Sequence, residues 1–314
     1  MCDGVVGSGP RYRPVGEEPA TAALSVWPTG QHDEISQLRD GGYVADTAAD
    51  TERVVPAVAA SAIADYSTPG EVVLDPDCGA GTVLVEALRA GRHAVGLTPN
   101  ARWWNTARAN VTAAKRHGAW RDGCVLDGDP RLLASVRAAG MAGRVGLVLT
   151  ALRPRAGSVV DDADPAHAMA RLTHALRQCR PLVRPGGHVV ITLRPWRHGG
   201  ALLDLPSRVL AAGQAVGFLP AARCVAMLGE LRGSRVVTRA SLAERRAAAR
   251  DRAAGVPTLL SVHHDVLVFR APALAEPATL AAGEPPSLVV SAPPRPHATD
   301  AGTDAARDGW VRAA

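Results

Sequence analysis

From about residue 52 to residue 270 the chain alternates short, β-branched apolar runs with stretches whose apolar positions recur every three to four residues. This is the pattern of buried strands alternating with amphipathic helices. Strands are predicted at 72–75, 93–97, 124–126, 145–150, 188–193, within 223–228 and at 265–270. Helices are predicted over about 52–65, from Thr82 to a cap at Gly91, and over 101–115, 131–139, 165–183, 204–216 and 241–254. Pro56 fits the first turn of its helix, and Asp164-Pro165 supplies an N-cap followed by proline at the first helical position. Arg184-Pro185-Gly186-Gly187 reads as a helix stop. Elements alternating at this spacing imply an α/β fold with a mainly parallel sheet and helices on both faces.

The most informative stretch is 72–95, a strand, a glycine-rich turn, a helix and a second strand. Gly79 and Gly81 allow backbone amides to approach a ligand closely, and the helix opening at Thr82 directs its positive end into the same turn. Such a turn suits a nucleotide-type cofactor.

The turn, Asp75-Pro76-Asp77-Cys78-Gly79-Ala80-Gly81-Thr82, resembles the S-adenosylmethionine (SAM) motif of class I methyltransferases. It has the Asp-Pro-x-Cys-Gly-x-Gly-Thr form of amino-directed DNA methyltransferases (N4-cytosine or N6-adenine) and of guanine-N2 tRNA methyltransferases, and Leu84-x-Glu86-Ala87 continues the likeness into the helix. The resemblance extends over about 25–272. It implies a Rossmann-like, seven-stranded, mainly parallel sheet whose last strand inserts antiparallel beside the fifth, and SAM as cofactor. It also implies that Asp75 meets the methionine end of SAM or orients the turn, while Cys78, Gly79, Gly81 and Thr82 form the cradle.

Thr98 stands where the family has an acidic residue for the ribose hydroxyls, with Asn100 as a possible substitute. Losing that charge-assisted contact costs about 1.5–3 kcal/mol, a tenfold or greater fall in affinity. Gly128-Asp129 resembles the position that accepts from the adenine amino group, and Asp127 is a near alternative. Trp103-Trp104 resembles an aromatic position of the bacterial DNA enzymes, with at least one of the pair expected in the core.

The family's catalytic Asn/Asp/Ser-Pro-Pro-aromatic motif should follow the strand ending at Thr150. Its acceptor groups take the target amine's protons and its ring stacks on a flipped base. Here Ala151-Leu152-Arg153-Pro154 stands instead. Ala151 accepts no proton, Leu152 does not reproduce the rigid carbonyl, and Arg153 brings positive charge toward an amine that becomes more positive during transfer. Either other residues serve, for example Asp161, Asp162 or Asp164, or transfer to an exocyclic amine has been lost. Upstream, the segment that covers the methionine end in the DNA enzymes corresponds to 47–56, without its His-Pro. Ser25-Val26-Trp27 resembles the start of the family's N-terminal segment.

Composition narrows these readings modestly. The 314 residues are 47% hydrophobic, enough for a large core, and no run approaches a membrane span. With no secretory signal pattern, a cytoplasmic protein is expected. The five cysteines form no Cys-x-x-Cys pair, so neither a metal site nor a disulfide framework is expected.

The net charge is +5, carried almost wholly by arginine, with Lys115 the sole lysine. Arg239, Arg245, Arg246 and Arg250 crowd the segment before the last strand, either a phosphate-binding face or a solvated one. Residues 1–20 and 271–314 are expected to be disordered tails flanking one domain over 21–270. The function expected is SAM-dependent methyl transfer to a nucleic-acid base amine, on DNA rather than RNA. The alternatives are a guanine-N2 RNA enzyme and a catalytically degenerate binding or regulatory relative.

Overall fold

The computed structural model describes residues 23–153, 164–198 and 201–273. Both expected tails lie almost wholly outside this range, as do Asp161 and Asp162. Strand β1 (Val26–Trp27) and helix α1 (Glu34–Asp40) lead through a 3-10 turn at Ala45–Ala49 to helix α2 (Pro56–Tyr66). The alternating core then runs β2 (Val72–Asp75), α3 (Thr82–Arg89), β3 (His93–Thr98), α4 (Ala101–Arg116), β4 (Gly123–Asp127), α5 (Leu133–Val136), β5 (Val145–Ala151), α6 (Pro165–Cys179) and β6 (Val183–Leu193). A short ladder of β7 (Arg197–His198) and β8 (Ala201–Leu202) precedes α7 (Leu205–Ala215) and β9 (Leu219–Met227). A hairpin of β10 (Glu230–Arg232) and β11 (Arg235–Val237), helix α8 (Leu242–Ala253) and strand β12 (His263–Arg270) complete the described chain.

Eight strands form one sheet in the order β1-β9-β12-β6-β5-β2-β3-β4. β12 is antiparallel to both β6 and β9, and the other pairs are parallel. The antiparallel insertion beside the fifth core strand is as expected, but the sheet has eight strands rather than seven. The addition is β1, whose two residues pair with Val225 and Ala226 of β9. So short a segment gives no alternation to read.

Side chains alternate across the sheet with the period of two that a pleat imposes. Val73, Leu147, Leu149, Val190, Val266 and Val268 pack under α2, α3 and α4, whereas Leu74, Val148, Val189, Ile191, Leu267 and Phe269 pack under α5, α6 and α7. These are two cores, one per face.

Three expected elements differ. The first long helix starts at Pro56 rather than near 52, because Val55 is held extended before the proline. The helix expected over 131–139 is a 3-10 turn, one α-turn and a wider coil broken at Gly140, where φ is +87°. α6 stops at Cys179, and Arg184-Pro185-Gly186-Gly187 belongs to β6. Its register against β5 jumps from Val183 to His188, so the extra residues bulge while Arg184 pairs with Glu71 at 2.7 Å.

Candidate functional site

Three segments meet at the bend between β2 and α3. Asp75 closes β2, 2% exposed; its carboxylate accepts from the Thr150 hydroxyl of β5 at 2.9 Å and from the Asp77 amide at 3.1 Å. Burial pushes this carboxyl up to about 7, against the opposing pull of the Arg153 guanidinium. Cys78 lies beneath the bend, its amide donating to the Leu97 carbonyl at 2.8 Å. Burial and the nearby Asp75 raise its thiol well above the ordinary range. The Thr82 hydroxyl donates to the Val54 carbonyl at 2.7 Å, fastening α3 to the chain entering α2.

The two glycines of the turn face different neighbours. Gly81, with φ at +84°, would bring a Cβ to 3.0 Å from the Cβ of Ala107, so it lets α3 and α4 approach. Gly79, with φ at +49°, would bring a Cβ to 2.1 Å from Asp50 Oδ2 and 2.3 Å from Arg153 Nη2. Side chains of the protein already lie against this glycine.

Asp50 and Arg153 form a two-pronged ion pair there, Nη1 to Oδ1 at 3.1 Å and Nη2 to Oδ2 at 3.0 Å. Asp50 Oδ2 also accepts from the Ala80 amide at 2.8 Å, and the side chains are 3% and 10% exposed. Burial alone would raise the Asp50 carboxyl, but Arg153 and the Ala80 and Glu52 amides hold it below the usual carboxylate range. Burial would likewise weaken the charged guanidinium, yet Asp50, Asp77 and Asp75 outweigh that and stabilise it. The sequence suggests that Arg153 places a free positive charge near the reacting amine. In the structure that charge is compensated by Asp50.

Asp50 belongs to the 47–56 segment expected over the methionine end, and that segment does lie on the glycine turn. Asn110 of α4 anchors it. Its amide group donates to the Thr47 hydroxyl at 2.7 Å and to the Ala80 carbonyl at 2.9 Å, while its oxygen accepts from the Val44 amide at 2.9 Å.

A cavity of about 590 Å³ opens beside the ion pair, at the carboxyl ends of β2 to β5 and walled by α6. Asp77, Asn100, Asp129, Thr150, Ala151 and Arg153 line it from the strand ends, and His167, Arg171 and His174 from α6. This is the edge of an open α/β sheet where ligands bind.

The structure places the predicted residues unevenly around this cavity. Asn100 uses its side-chain oxygen to cap α4, accepting from the Arg102 and Trp103 amides at 3.0 and 3.3 Å. Asp129 caps the next turn through the Arg131 amide at 2.8 Å. Thr98 is 1% exposed and absent from the wall, its hydroxyl accepting from the Asn100 amide at 3.4 Å. Leu152 is core, and Asp164 caps α6. Trp104 donates from its indole to the Val125 carbonyl and stacks with Arg108, while Trp103 stacks with Arg102; neither lines the cavity.

Sequence reasoning missed Asp50, Asn110, His167, Arg171 and His174. The histidines, two turns apart, had a readable signal in their shared helix face. Arg171 pairs with Asp77 at 2.7 Å, and His174 Nε2 has no hydrogen-bond partner among the described residues.

The arginine cluster divides into tethered and exposed members. Arg239 pairs with Glu230 at 3.1 Å and Arg245 donates to the Ala240 carbonyl at 2.9 Å. Arg246 and Arg250 are exposed one turn apart on α8. Among the described residues no helix is long and apolar enough to cross a membrane, and no group of three His, Cys, Asp or Glu side chains is placed to hold a metal ion.

No protein-family model matches the sequence, and no curated protein matches it. The fold is similar to several solved structures at low identity. TrmN from Thermus thermophilus is 19% identical with a TM-score of 0.45, over 69% of this chain and 49% of TrmN, so the chain spans about half of that protein. A putative RNA methyltransferase from Pyrococcus horikoshii is 15% identical with a TM-score of 0.43, over 71% and 87% of the two chains. Magnesium protoporphyrin IX methyltransferase (ChlM) from Synechocystis PCC 6803, solved with bound SAM, is 15% identical with a TM-score of 0.41, over 75% and 82%.

Proposed function

We propose that this chain is a SAM-dependent methyltransferase of class I architecture, with the adenosine part of SAM in the cavity and its amino-acid part at the glycine turn. The reading is carried by the cavity's position. It is lined by Pro76 and Asp77 of the bend that bears the Asp-Pro-x-Cys-Gly-x-Gly-Thr sequence, at the carboxyl edge of a sheet with an antiparallel strand beside the fifth core strand. Asn100 and Asp129 flank the nucleoside end. Gly79, which has no side chain to fill the turn, and the charged pair beside it stand at the zwitterionic end. SAM would supply an activated methyl group, and the chain's own residues bind and orient it. Asp75, tied to Thr150, holds the end of β2 in register with β5.

The acceptor we propose is a nucleic-acid base amine, DNA before RNA, on the strength of the motif's form and the exposed Arg246 and Arg250. One observation favours a second reading, a catalytically silent binding or regulatory relative. Ala151 stands at the end of β5 on the cavity wall and offers no side-chain acceptor for an amine's proton.

Calorimetric titration with SAM, paired with radiolabelled methyl transfer onto DNA and RNA, separates the readings. Binding with transfer supports the enzyme, and binding without transfer to either supports the silent relative. Absence of binding removes both.

A further inference from the structure

The buried pair at the glycine turn has the charge pattern of a bound amino acid. Asp50 places a carboxylate on the Ala80 amide, and Arg153 places a cation beside it within the field of Asp75 and Asp77. Both groups crowd Gly79, the position in the turn that a side chain would fill. The packing is close yet polar satisfaction is incomplete, since Arg153 Nε is buried without a partner. Arg153 also forms part of the cavity wall, so the pair stands at the border of open space.

An isolated charge does not open such a pair cheaply, because whichever partner is left behind stays buried and uncompensated. A zwitterion meets both needs. Its ammonium replaces the guanidinium at Asp50, and its carboxylate gives Arg153 a new two-pronged partner. Resting on the SAM reading above, we propose that Asp50 and Arg153 are specificity-determining residues that exchange their mutual ion pair for the ammonium and carboxylate of an adenosyl amino acid. The exchange makes this end of the site selective for zwitterions over adenosyl ligands that lack the carboxylate or both charges.

The cost of opening the pair is common to ligands that displace it, so the informative quantity is a ratio of affinities. The experiment is calorimetry of the full chain and of the Arg153→Gln and Asp50→Asn variants. The probes are SAM, decarboxylated SAM, which keeps the sulfonium and the ammonium but lacks the carboxylate, and 5′-methylthioadenosine, a neutral thioether that lacks all three charges and reports an intact cavity. The wild type is expected to bind SAM about tenfold or more tightly than decarboxylated SAM, the worth of one charge-assisted contact. Arg153→Gln should bring that ratio to about one or below. Asp50→Asn should lower the affinity for SAM relative to that for methylthioadenosine, because the ammonium loses its carboxylate partner.

Three results overturn the exchange. Wild type that binds methylthioadenosine but not SAM shows a fixed plug over an adenosine site. Variants that gain affinity for every probe with the ratios unchanged show the same. Failure of all three proteins to bind any probe overturns the exchange together with the SAM site itself.

Discussion

Thr150 of β5 donates its hydroxyl to the Asp75 carboxylate at 2.9 Å, reaching one residue past Leu74 on β2 and two past Val148 on β5, the last paired position of the two strands. The bond lashes the carboxyl ends of two neighbouring strands together where the cavity begins.

That carboxylate makes stability fall with rising pH. Its folded pKa, about 7, lies above the ordinary value of 3.8, so the folded protein holds this proton more tightly than the unfolded chain. Asp75 therefore favours folding most below pH 4, and the contribution is lost as pH rises through about 7. The full swing is roughly 4 kcal/mol at about 1.4 kcal/mol per unit. Asp75→Asn, which keeps an oxygen for Thr150, should flatten this part of the curve. Urea denaturation at pH 5 and pH 8 checks it, and equal pH dependence in variant and wild type would assign the slope to other groups.

Arg153→Ala leaves Asp50 buried beside the Ala80 amide without its counter-ion. The expected loss is about 3–5 kcal/mol near neutral pH, as for other broken buried pairs. It should shrink in acid, where Asp50 takes up a proton. The same change removes a cation that lowers the Asp75 pKa, so carboxyl NMR should find Asp75 titrating above 7 in the variant.

Asn110→Ala strips partners from the Val44 amide, the Thr47 hydroxyl and the Ala80 carbonyl at once. Buried groups left unpaired cost about 1–3 kcal/mol each where water does not reach them, so a loss of at least about 2 kcal/mol is expected. Hydrogen exchange should localise the loosening to 44–50 and the glycine turn. A uniform loss of protection would contradict the anchoring role.

Gly213→Ala tests packing far from the cavity. A Cβ on this α7 residue would lie 2.3 Å from Phe269, which is fully buried in β12. Helix propensity favours alanine by about 1 kcal/mol, but overpacking against a ring with nowhere to move should give a net loss of about 1–3 kcal/mol. Thermal melting of the variant decides the sign.

The sequence reveals the sheet well because its strands carry local signals. Val73-Leu74, Leu147-Val148 and Val190-Ile191 each send neighbours to opposite cores, and β-branched residues dominate these runs. The end of α6 was hidden because proline and glycine at 185–187 mark a bulged strand as readily as a helix stop. The candidate site was half legible. The bend, its glycines and the 47–56 cover could be read from their motif and order. The Asp50–Arg153 pair could not, since it joins residues 103 apart that no local pattern relates. Gly81 shows the same limit: the spacing suggests approach to a ligand, whereas the structure shows approach to Ala107.

The brevity of β1 has a consequence at the outer margin of the sheet. It pairs with only two of the nine residues of β9, so Leu219–Cys224 has no partner on that flank among the described residues. Pro220 has no amide hydrogen to offer to a pairing strand, and Arg223, largely exposed though paired with Asp265 of β12 at 2.9 Å, adds a charged side chain to that stretch. Among the described residues that margin is thereby made a poor template for a foreign strand.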